Sequence, residues 1–91
     1  MTLSSLLEHL AANGVVAKTS VPDVQFRQSP DGPALTEAVV APKRARIPCP
    51  HVRTVIVPGL QLRHLSGDWE PAYLTYDHLD ASDWYVQEGA P

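Results

Sequence analysis

Apolar positions recur along this chain with two rhythms, and the rhythm changes where prolines gather. Over residues 2–13, Leu3, Leu6, Leu7, Leu10 and Ala11 fall at the i, i+3, i+4 spacing of a single helical face. Thr2 is placed to cap the start of such a helix, and Asn13-Gly14 to end it. Val15-Val16-Ala17 then reads as a short strand or an apolar connector. From residue 52 the period shortens to two. Val52-Arg53-Thr54-Val55-Ile56-Val57 is dense in β-branched residues, and Leu60-Gln61-Leu62-Arg63-His64-Leu65 alternates apolar with polar. Pro58-Gly59 between them predicts a turn, either a wide hairpin or a bulge, because the type II turn this pair favours suits a tight hairpin poorly. Ser66-Gly67-Asp68 predicts a second turn. Trp69-Glu70-Pro71-Ala72-Tyr73-Leu74 then reads as an edge strand, the place where a proline is tolerated. Thr75 to Ala81 reads as a helical turn capped by Thr75, and Trp84-Tyr85-Val86-Gln87 as a last strand with Trp84 in the core.

Residues 22–50 interrupt both rhythms. They hold Pro22, Pro30, Pro33, Pro42, Pro48 and Pro50, six of the nine prolines of the chain. Each removes a backbone donor and fixes φ, so a long loop or arm is expected, with two helical turns at most over Ala34–Val40. The fold class that follows is α+β in one small domain, 1–91. One N-terminal helix packs on a small antiparallel sheet supplied mainly by residues 52–87, with a long irregular Pro-rich segment between.

Composition narrows the function classes. The 91 residues carry a net charge of −3, which argues against a general nucleic-acid coat. No apolar run is long enough for a membrane span, and Met1-Thr2-Leu3-Ser4-Ser5 does not resemble a secretory signal. A single cysteine excludes an internal disulfide framework and makes a reducing cytoplasm the expected compartment. So small a core is expected to gain stability from homo-oligomerisation. All seven cations lie in residues 1–63, and six of the ten anions lie in residues 64–91. That polarity is read first as each half solvating its own surface, and alternatively as a field that steers a charged ligand or partner to one end.

Few constellations carry chemistry. Cys49, His51, His64 and His78 lack the spacing of a zinc site, and no metal or cofactor is expected. Cys49, between two prolines, reads as a small buried hydrophobe rather than a nucleophile. No phosphate-cradling glycine loop or nucleophile elbow is present, so the chain is expected not to be an enzyme. A binding role fits better. Arg53, Arg63 and His64 are the candidate contacts to phosphate or ribose, with Trp69 and Tyr73 stacking on a base. Alternatively, the acidic residues Asp68, Glu70, Asp77, Asp80, Asp83 and Glu88 dock on a basic groove of a host defence protein or mimic nucleic acid. A third reading gives Lys43, Arg44 and Arg46 to DNA phosphates.

The ending Ala81-Ser82-Asp83-Trp84-Tyr85-Val86, preceded by Gly67-Asp68-Trp69-Glu70-Pro71, resembles that of a small phage domain family that includes the second group of Thoeris anti-defence proteins. The opening Leu6 to Lys18 is similar to that family in its order of helix, turn and strand. The resemblance implies a non-enzymatic sponge that sequesters a cyclic nucleotide immune signal in the host cytoplasm. The family's usual Arg and Trp after the opening strand are replaced here by Thr19-Ser20-Val21-Pro22, so its ligand residues do not carry over one by one.

Overall fold

The computed structural model describes residues 1–41, 49, 52–65 and 67–87. It is an α+β fold: one antiparallel sheet of five strands with short helices on one of its faces. In chain order these are α1 (Leu7–Ala11), β1 (Val15–Lys18), β2 (Val21–Gln28), α2 (Glu37–Val40), β3 (Thr54–His64), β4 (Glu70–Thr75), α3 (Tyr76–Asp80) and β5 (Trp84–Val86). The strand order is β4-β3-β2-β1-β5, which places β4 at one edge and the last strand beside the first. Among the described residues no helix is long and apolar enough to cross a membrane.

The N-terminal helix is shorter than its periodicity predicts. A 3₁₀ turn, Ser4–Leu6, leads into α1, and no side chain caps either start. Asn13 takes the left-handed conformation, at φ 65°, and the Gly14 amide closes the helix on the His9 carbonyl. The tight 3₁₀ winding turns Leu3, Leu6 and Leu10 fully inward and leaves Leu7 half-buried.

The largest departure lies in the Pro-rich segment. Residues 22–28 are not a loop but most of β2, a central strand paired with β1 on one side and β3 on the other. Pro22 is tolerated because it has no register partner in either ladder: β1 pairs Lys18 with Val21, then shifts to pair Ala17 with Gln25. Among the described residues of this segment beyond β2, only the four of α2 are helical, where two turns at most were expected. Residues 42–48, 50 and 51, with Lys43, Arg44, Arg46 and His51, lie outside the described residues. Cys49 is exposed, not buried.

Pro58-Gly59 does not separate two strands either. β3 runs continuously through it as a bulge, in which Val57 to Leu60 stand opposite the single Ala72 of β4. Gly59 adopts φ 85°, and a methyl group there would run into the Pro33 carbonyl oxygen. Across the bulge the inward positions of β3 change from odd to even: Val55 and Val57 pack inward on its first side, Leu60 and Leu62 on its second, and Ile56 is exposed.

The core joins helices to sheet. Leu3, Leu6, Leu10, Val40 and Leu79 pack on Val16, Phe26, Leu60, Leu62, Ala72, Leu74 and Trp84. Phe26 meets Trp84 edge to face at 4.9 Å between ring centroids. The Trp84 indole N–H donates to the His78 carbonyl, and Thr75 caps α3 by accepting the His78 amide. The edge position of β4, the Thr75 cap and the buried Trp84 agree with the sequence pattern.

Candidate functional site

Two strand segments share one sequence pattern. Val24-Gln25-Phe26-Arg27 and Leu60-Gln61-Leu62-Arg63 both read apolar, Gln, apolar, Arg. Antiparallel pairing centres them on Phe26 opposite Leu62, so that Gln25 faces Arg63 and Gln61 faces Arg27. Side chains alternate across a sheet, so Phe26 and Leu62 enter the core while the glutamines and arginines share the opposite, outer face.

There the four polar side chains form two cross-strand pairs. The Arg63 Nε donates to the Gln25 Oε1 at 2.7 Å, and the Arg27 Nε donates to the Gln61 Oε1 at 2.9 Å. Gln25 is buried, and both arginines are half-buried. Each glutamine uses a neutral acceptor to orient a guanidinium without cancelling its charge. Trp69, just before β4, lies across both. The Arg27 guanidinium carbon is 4.4 Å from its ring centroid and that of Arg63 is 4.8 Å. Among the described residues no carboxylate lies within ion-pair distance of either arginine. Two like charges are thus held against a single ring, with their remaining N–H donors directed by a fixed Nε bond.

The five residues expected to contact a nucleotide do not converge. Arg63 and Trp69 meet on the outer face, but the Trp69 ring is engaged by two of the chain's own cations, so it orients them rather than waiting bare for a base. Tyr73 is half-exposed and pairs with Ile56, on the far side of the bulge. Arg53 precedes β3 and Arg63 is near its end, which separates them by most of an 11-residue strand. His64 pairs with Val24 and lines a cavity on the opposite face from Arg63. Arg27, Gln25 and Gln61 were the residues missed. The repeated apolar-Gln-apolar-Arg pattern was their signal.

The acidic set divides as well. Asp68, Glu70, Asp77 and Asp80 are exposed. Asp83 is an internal clasp rather than a docking residue. Its carboxylate pairs with the buried Lys18 ammonium and accepts from the Thr19 hydroxyl at 3.2 Å and the Ser20 amide at 3.0 Å. The Lys18 bond, reinforced by those from Ser20, holds its carboxyl well below the ordinary carboxylate range against the opposing effect of burial. Glu88 lies outside the described residues. Among the described residues no group of three His, Cys, Asp or Glu side chains could hold a metal ion.

Comparison with known proteins finds no matching family model, no matching curated protein and no matching solved structure.

Proposed function

We propose that this chain is a non-enzymatic binding module that sequesters an anionic nucleotide on the outer face of its sheet, through Arg27 and Arg63 held by Gln25, Gln61 and Trp69. The observation that carries this reading is the pair of guanidiniums over one ring with no carboxylate among the described residues to neutralise them. Their mutual repulsion is relieved by an anion bound between them, and Arg presents paired donors that suit phosphate. The resemblance of Ala81 to Val86 to the Thoeris anti-defence ending supports a phage-type or mobile-element counter-defence role in the host cytoplasm. Those residues serve the fold, as the Asp83 clasp and the Trp84 core, so what they support is kinship of architecture, not a ligand contact. The exposed cross-strand pair Ile56 and Tyr73 offers apolar surface for assembly into a homo-oligomer.

Calorimetry against cyclic ADP-ribose isomers and cyclic dinucleotides tests the reading. Saturable binding is expected, weakened at least about tenfold by Arg27→Ala or Arg63→Ala through loss of a charge-assisted bond, with the ligand recovered intact. Absence of heat with every nucleotide overturns it. Capture of a host defence protein in that case, lost on reversing the exposed charges Asp68, Glu70, Asp77 and Asp80, favours an inhibitor that acts by surface occlusion.

A further inference from the structure

Rows of paired residues cross the outer face of the sheet, and one of them runs through the Gln25–Arg63 pair. In register it reads Tyr85 on β5, Ala17 on β1, Gln25 on β2 and Arg63 on β3. Trp84 is buried and Val86 packs on the core, so Tyr85 between them faces the outer side. Val16 enters the core in the same way and leaves Ala17 on the outer side. We propose, on the nucleotide reading given above, that Tyr85 is the base-stacking residue of the site. It takes the base of a nucleotide whose phosphate is held at Arg63 and Arg27.

A base needs an aromatic surface that is not already engaged. The Trp69 ring has both guanidiniums against it, at 4.4 and 4.8 Å. Tyr73 pairs with Ile56 on the far side of the bulge. Tyr85 stands in the row itself and is half-buried, which holds the ring yet leaves part of it accessible. Only the methyl of Ala17 stands between it and Gln25, so no bulky side chain of the row parts the ring from the charged pair. Ala17 is fully buried, so the taller side chains bordering it form the surface above it. The Nε bond from Arg63 to Gln25 draws the guanidinium toward β2, the side on which β1 and β5 lie. Three strand spacings, about 14 Å, separate the Tyr85 backbone from that of Arg63. Two long side chains with a nucleoside phosphate between them span such a distance. Every base has a π-face, so stacking adds affinity whatever the base. Tyr85 therefore discriminates a nucleotide from an inorganic anion, and not one base from another.

The test is a titration of the full chain with cyclic di-AMP and, separately, with inorganic pyrophosphate, read by calorimetry and by NMR of the tyrosine ring protons. Cyclic di-AMP is expected to shift the Tyr85 ring resonances through the ring current of the base, and pyrophosphate to leave them in place. Tyr85→Leu is expected to weaken cyclic di-AMP about tenfold while changing pyrophosphate less than about twofold, and Tyr85→Phe to retain affinity for both. Arg63→Ala weakens both probes. Unchanged affinity of Tyr85→Leu for cyclic di-AMP, equal losses for the two probes, or binding of pyrophosphate alone overturns the role of Tyr85 and leaves the arginine site standing. Binding of neither probe overturns the nucleotide reading itself, and this role with it. Should Tyr85→Leu fail to fold, the wild-type spectrum decides: Tyr85 resonances that do not move with bound cyclic di-AMP overturn the assignment.

Discussion

The two faces of the β2–β3 ladder are made by alternate residues of the same ten-residue pairing, yet they solve opposite problems. Inward, Phe26 and Leu62 are almost fully buried beneath the helices and against Trp84. Outward, their immediate neighbours Arg27 and Arg63 stay charged, half-exposed and held in place by amide side chains and an indole ring. The inner face stabilises the fold by removing apolar area from water. On the outer face the cross-strand bonds and the shared ring fix the direction of two cations. On the proposed reading, stability and anion binding are assigned to neighbouring residues of one ladder.

The sharpest way to break this comparison is to substitute adjacent residues. Phe26→Ala is expected to cost about 3–5 kcal/mol in urea unfolding, a large share of the stability of so small a domain. Arg27→Ala next to it is expected to change stability by less than about 1 kcal/mol. Equal losses at the two positions would mean that the outer face is also structural.

Next in size is the charged pair on the inner side. Removing the Asp83 charge by Asp83→Asn leaves the buried Lys18 ammonium uncompensated, at a cost of about 3 kcal/mol at neutral pH. Because Asp83 is held in its charged form by folding, the unfolded chain binds its proton more readily. The stability it contributes is present above the unfolded carboxylate pKa of about 3.9 and is lost as pH falls below that value. Melting temperature measured from pH 6 to pH 2 should fall more steeply in the wild type than in Asp83→Asn.

Gly59→Ala probes the bulge that decides which face each half of β3 presents. The positive φ and the approach of the Pro33 carbonyl predict a loss of at least about 1 kcal/mol by thermal melting. Trp69→Ala is expected to cost about 1 kcal/mol of stability, from two partly exposed cation–π contacts. Its effect on nucleotide affinity should exceed its effect on the melt, since the two guanidiniums lose their common support. A calorimetric titration unaltered by Trp69→Ala would remove the ring from the site.

Much of the architecture was legible in local pattern. The edge strand with Pro71, the Thr75 cap and the buried Trp84 each follow from a residue type whose constraint acts within a few positions. What failed was anything set by distant partners. Val24 to Gln28 alternates as cleanly as Leu60 to Leu65, but the surrounding prolines hid it, and only the pairing register shows that Pro22 stands outside both ladders. Arg27 was counted as one cation among seven until Gln61 and Trp69, 34 and 42 positions away, fixed where it points. Asp83 looked like surface charge because Lys18, 65 positions earlier, is its partner.

The bulge at Val57 to Leu60 has a consequence for how this chain tolerates changes of length. A substitution in β3 alters one side chain at one place. Loss of a single residue from the bulge would instead exchange the two sides of everything beyond it: Leu62 would meet solvent and Arg63 would be driven into the hydrocarbon interior against Phe26 and Trp84. A one-residue deletion near Gly59 is therefore expected to cost more stability than a two-residue one, since only the second keeps the alternation of faces. An alphabet of faces written in alternate letters survives misspelling far better than it survives a shift in reading frame.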